Sequence, residues 1–126
     1  LKISAAVFGS YPSCRESVGQ DWPEWTKAGW LDFVCPMDYT ESDETFCSLV
    51  ENQMGLVAGR IPVYPGIGAT ASRSSLSADR VVGQIYHARR LDAAGFTIFN
   101  FSQEVAEAIL PGVGVGAGAQ RAQTAH

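Results

Sequence analysis

The chain is poor in the residues that build metal and redox centres, with two histidines and three cysteines. His87 and His126 lie far apart, and Cys14, Cys35 and Cys47 include no C-x-x-C pair, so no metal site is implied. An odd number of cysteines leaves one over under any pairing scheme, which favours buried free thiols over a disulfide framework. Basic residues are also scarce. Nine lysines and arginines face thirteen acids, the net charge is −4, and no basic stripe is interleaved with aromatics, which excludes the footprint of a nucleic-acid binder. No window reaches the roughly 18 consecutive apolar residues of a membrane span, and the first residues carry no targeting signal. The sequence therefore reads as a soluble domain with no cofactor, no nucleic-acid partner and no membrane partner.

At 126 residues the chain has room for one domain, but falls short of the roughly 250 residues of an eight-unit barrel. It begins at Leu1, without a methionine and inside an apparent strand, as an excised or incomplete piece or a processed mature chain would. Apolar runs rich in β-branched and aromatic residues predict strands over 2–8, 31–37, 61–64 and 96–101. Helical spacing and capping residues predict helices over 21–29, from 42 to about 54, from 77 to before Gly95, and from Ser102 to before Pro111. Trp22 and Trp25 share one helical face and are expected to be core. The Gly/Ala/Gln-rich stretch 113–126 is expected to be a disordered tail, leaving 1–112 as the folded unit. Strands alternating with helices imply an α/β fold with parallel strands and right-handed crossovers, either an open doubly wound sheet or half of a closed barrel.

The run LDFVCPMDYT over 31–40 stands out, because an apolar strand stops on a carboxylate, a tyrosine and a hydroxyl. Reactive groups in parallel sheets sit at the carboxyl ends of strands, so Asp38 is the first candidate. Its alternative is a helix cap or an ion-pair partner. Tyr39 and Tyr64 are read either as sugar contacts or as fillers of the strand-end mouth. Asn100 closes the last strand, as a contact for a sugar hydroxyl or as a loop anchor. Gly66 opens G-x-G-x-x-A over 66–71, a weak dinucleotide pattern that is better explained by a turn letting a backbone approach a ligand.

The segments KISAAVFG, QDWPEWTKAGWLDFVCPMDYT, RIPVYPGIGA and GFTIFNFS together resemble the carboxyl-terminal half of the glycosyl-hydrolase-like family 10 barrels, bacterial proteins of the glycoside hydrolase superfamily. The likeness spans 2 to about 111 and is most specific over 20–40. It implies half of a TIM-type (β/α)8 barrel, its strands five to eight, with four parallel strands alternating with four helices. A saccharide would bind at the strand ends. Asp38 would be the general acid/base, its pKa raised by apolar neighbours that include Met37. Met37, Tyr39, Tyr64, Gly66 and Asn100 would be the substrate-binding residues.

The departure from that family is the missing second carboxylate, because glycoside hydrolysis uses two, roughly 5 to 10 Å apart. Two functions therefore stand: a partial glycoside hydrolase, active once completed by a missing amino-terminal half, or a non-catalytic unit, which is either a carbohydrate-binding or assembly module or a half-barrel that self-associates as a homodimer. Unpaired edge strands and apolar inner faces would favour the association.

Overall fold

A computed structural model of the chain describes residues 1–119. Strand β1, Ser4–Phe8, pairs in parallel with β2, Phe33–Met37, in a register that sets Ser4 against Phe33 and Phe8 against Met37. Two short helices form the crossover, α1 at Ser13–Val18 and α2 at Trp22–Lys27. Helix α1 ends at Gly19, whose φ of 72° is the left-handed conformation that glycine adopts without steric penalty. Pro23 occupies the first turn of α2, where its missing N–H has no helical partner to lose. Asp21 precedes this helix but does not cap it through its side chain, and its carboxylate accepts a hydrogen bond from the Tyr11 hydroxyl at 2.9 Å instead.

Helix α3, Asp43–Val57, follows β2. The Ser42 side chain caps it by accepting from the Thr45 N–H at 3.1 Å, and Asp43 and Glu44 place negative charge at the positive end of the helix dipole.

The half-barrel sheet expected from the sequence does not form. The described residues instead make a small mixed α/β domain with three separate two-stranded sheets. Besides β1–β2, strand β3 (Gly66–Gly68) pairs in parallel with β6 (Thr97–Phe99), and β4 (Thr70–Ala71) pairs antiparallel with β5 (Ser74–Ser75). The segment 61–64, expected as a full strand, contributes one isolated parallel bridge, Val63 to Val34. Proline explains the interruption. Pro36 and Pro62 have no N–H to give, so pairing between β2 and this segment reduces to Val34 N–H donating to Pro62 O (3.1 Å) and Tyr64 N–H to Val34 O (2.9 Å). The stretch 70–75 is the β4–β5 hairpin, and no helix directly follows the glycine pattern as a dinucleotide fold requires.

Helix α4, Ala78–Arg90, buries Val81, Ile85 and Ala88 along the expected stripe. Ser102 caps α5, Gln103–Ala108, by accepting from the Val105 N–H at 3.2 Å, and α6 follows at Leu110–Val115. Two apolar clusters result. The larger joins α3 and α4 to β3, α5 and α6 through Phe46, Val50, Ile67, Ile85, Val105 and Val113, among others. The smaller gathers Val7, Trp22, Val34, Val57 and Val63 behind β1–β2. Trp22 is fully buried and Trp25 half-buried, the core role their spacing predicts.

The expected disordered tail is corrected over 113–119. Val113 and Ala117 are buried against the larger cluster, and Arg89 Nη2 donates to Ala117 O at 2.7 Å. The rest of that stretch, 120–126, lies outside the described residues. Among the described residues, no helix is long and apolar enough to cross a membrane.

Candidate functional site

The carboxyl ends of β1, β2 and β6, together with the β4–β5 hairpin, surround a cavity of about 760 Å³. Its floor comes from Phe8 and Gly9 after β1, and from Met37, Tyr39 and Thr40 after β2. Helix α1 supplies Ser13, Cys14 and Ser17, α3 supplies Thr45 and Leu49, and the hairpin tip supplies Ser72 and Arg73. Strand β5 of the hairpin is tied down twice. Ser74 Oγ donates to Gly68 O at 2.6 Å, and the Glu41 carboxylate accepts from the Ser75 N–H at 3.1 Å.

Strand alternation decides which residues reach this space. Along β2 the even positions Val34 and Pro36 are buried towards the helices, whereas Phe33, Cys35 and Met37 face the open side. The same period carries past the strand end, so Met37 and Tyr39 line the cavity while Asp38 points the other way. On β6, Phe99 projects to the open side and its peptide bond to Asn100 is cis. The rings of Tyr39 and Phe99 stack, with centroids 5.1 Å apart and planes 24° from parallel, and form an aromatic wall.

Asp38 is completely buried and does not line the cavity, contrary to the sequence expectation of a carboxylate opening into it. Gln53, on α3 and also fully buried, donates through Nε2 to Asp38 Oδ1 at 2.5 Å and to Gly9 O at 3.1 Å. Gly9 lies directly on this pair, and a Cβ at that position would overlap Asp38 Oδ1. The other carboxylate oxygen, Oδ2, and Gln53 Oε1 have no hydrogen-bond partner among the described residues. Burial pushes the Asp38 pKa up to about 7, against a smaller lowering by the Gln53 hydrogen bond. The carboxyl group is thus a buried bolt between the end of β2, the turn after β1 and the middle of α3.

The other sequence candidates separate into two groups. Met37 and Tyr39 belong to the cavity, and burial raises the pKa of Tyr39, with smaller contributions from Cys35 and Asp38. Tyr64, Gly66 and Asn100 do not line it. The Tyr64 ring meets Phe33, the first residue of β2, edge-on at 5.5 Å and lies against Gly95 ahead of β6, at the strand starts rather than at the strand-end mouth. Gly66 is a packing glycine, because a Cβ there would sit 2.8 Å from Pro36 O and 2.9 Å from the Tyr39 ring. Asn100 anchors the hairpin, its side-chain oxygen accepting from the Thr70 hydroxyl at 2.9 Å.

Sequence reasoning missed Phe99, Arg73 and the α1 hydroxyls. Phe99 was legible in principle, since counting by twos along 97–99 places it on one face with Thr97. Arg73 was not, because nothing in SRSS announces a hairpin. No aspartate or glutamate lines the cavity, and Arg73 is its one charged lining residue among those described. Six serine and threonine side chains line it: Ser10, Ser13, Ser17, Thr40, Thr45 and Ser72. Burial raises the pKa of the Cys14 thiol, which favours the neutral and unreactive form. Comparison with protein-family models and with characterised proteins finds no match to this chain.

Proposed function

We propose that the domain binds a saccharide in the cavity at the carboxyl ends of β1, β2 and β6, as a non-catalytic carbohydrate-binding unit. The observation that carries this reading is the stacked Tyr39–Phe99 wall facing a space lined by six hydroxyl side chains. A sugar ring presents C–H groups on its faces and hydroxyls around its rim, which suits an aromatic wall with alcohol donors and acceptors around it. The volume falls within the range of about 300–1,000 Å³ usual for small-molecule sites. The likeness of 20–40 to glycosyl-hydrolase-like family 10 supports the same ligand class.

Hydrolysis is the weaker reading, because it uses two carboxyl groups across the scissile bond and the described cavity lining supplies none. Burial raises the Asp38 pKa to about 7, towards the protonated form a general acid needs, but the carboxyl group is buried away from the cavity. Calorimetric titration with a panel of neutral mono- and oligosaccharides tests the binding. Tyr39→Ala is expected to weaken it about tenfold, the loss of one stacked aromatic contact. A protein that binds nothing in the panel overturns the reading. Saccharide cleavage that Asp38→Asn abolishes would replace it with the hydrolytic one.

A further inference from the structure

A second hollow of about 340 Å³ lies beside the first, on the outer side of α3. The two share Ser10, Thr45 and Leu49, so they are lobes of one groove that crosses the amino-terminal half of α3. The shared saddle repeats the character of the main cavity, two hydroxyls beside an apolar side chain. Beyond it, the second lobe adds Tyr11, Glu44, Ser48 and Asn52, an aromatic ring next to a carboxylate, a hydroxyl and an amide, all groups that pair with sugar hydroxyls.

The far wall is fixed rather than loose. Asn52 Nδ2 donates to Tyr11 O at 3.1 Å and the Tyr11 hydroxyl donates to Asp21 Oδ1 at 2.9 Å. The Tyr11 ring also meets Trp22 edge-on, with centroids 6.1 Å apart. A wall held by backbone, carboxylate and core contacts is set before any ligand arrives, which lowers the ordering cost of binding.

We infer that the groove takes a linear oligosaccharide, with one ring against Tyr39 and Phe99 and later rings crossing the Ser10–Thr45 saddle to Tyr11. This inference rests on the saccharide reading above and extends it from a sugar to a chain of linked sugars. A monosaccharide would fill the main cavity and leave the second lobe unused. A peptide fits less well, because extended peptides are commonly held by a strand edge offering backbone groups, and side-chain hydroxyls dominate this groove.

The test is calorimetric titration with gluco-, xylo-, manno- and N-acetylglucosamine oligomers of one to six units. Affinity in the series that binds is expected to rise at least about tenfold from monomer to hexamer. Ser48 is exposed on α3 and lines only the second lobe, so Ser48→Trp fills that lobe without touching the core. This variant is expected to abolish the gain with length and leave monomer affinity unchanged. Monomer and hexamer binding equally, with Ser48→Trp without effect, overturns the inference and leaves the saccharide reading standing. No binding in any series overturns both, as does saturable binding of a peptide library that Ser48→Trp blocks.

Discussion

Replacing Asp38 by asparagine is expected to stabilise the protein above pH 7. In the folded chain the Asp38 pKa rises to about 7 from 3.8, because the carboxyl group is fully buried and, among the described residues, no cation faces it. The folded state therefore holds a proton that the unfolded chain releases between these values. The associated stability is fully present below the unfolded pKa and is lost as pH rises through the folded pKa near 7. A gap of roughly three pH units, at about 1.4 kcal/mol per unit, puts the loss on the order of 4 kcal/mol. Asparagine does not titrate. Its amide oxygen keeps the Gln53 hydrogen bond, and its amide nitrogen brings a donor next to a glutamine whose Oε1 has no partner among the described residues. The assay is urea unfolding of both proteins from about pH 4 to about pH 9, followed by tryptophan fluorescence, with the fully buried Trp22 as reporter. Taking the difference removes the titration of every other group. The variant's advantage should be small near pH 4, grow through pH 5 and 6, and level off above pH 7. A flat difference, or a variant less stable than wild type at pH 8, would refute the burial argument.

Gly9→Ala is expected to cost about 1–3 kcal/mol, because the new methyl overlaps Asp38 Oδ1 and presses on Gln53 Nε2. An unchanged urea midpoint would show that the turn after β1 is free to move away from the buried pair. Ser42→Ala removes the side-chain cap of α3 and is expected to cost about 1 kcal/mol, with faster amide exchange at Thr45. Equal exchange in the two proteins would show that the cap contributes nothing.

Helices were more legible in the sequence than sheets. Ser42 and Ser102 announced helix starts through local hydrogen bonding, and the spacing of Val81, Ile85 and Ala88 announced a buried face, so those elements lie close to where the pattern puts them. Helix α1 was hidden because Pro12 reads as a strand breaker, although a proline just before a helix is as much a start signal as a stop. The sheet was misread because continuous ladders need N–H groups at every second residue. The prolines at 36 and 62 are visible in the sequence and remove the N–H groups that would join β2 to the segment 61–64.

At the site, the run ending on Asp38, Tyr39 and Thr40 does approach a cavity, which Met37, Tyr39 and Thr40 line and Asp38 does not. The strand period carried that information. Val34, Pro36 and Asp38 share one face, and an apolar partner two and four residues back points to the buried side. The contribution of the hairpin tip depended on long-range ties, Ser75 to Glu41 and Thr70 to Asn100, which no local pattern encodes.

The division between a buried Asp38 and a ligand-facing Tyr39 is tested most directly by titrating wild type, Asp38→Asn and Tyr39→Ala side by side with the best-binding saccharide. Asp38→Asn should keep its affinity within about threefold while Tyr39→Ala loses about tenfold or more. The reverse order, with affinity falling at Asp38→Asn and surviving at Tyr39→Ala, would contradict the account.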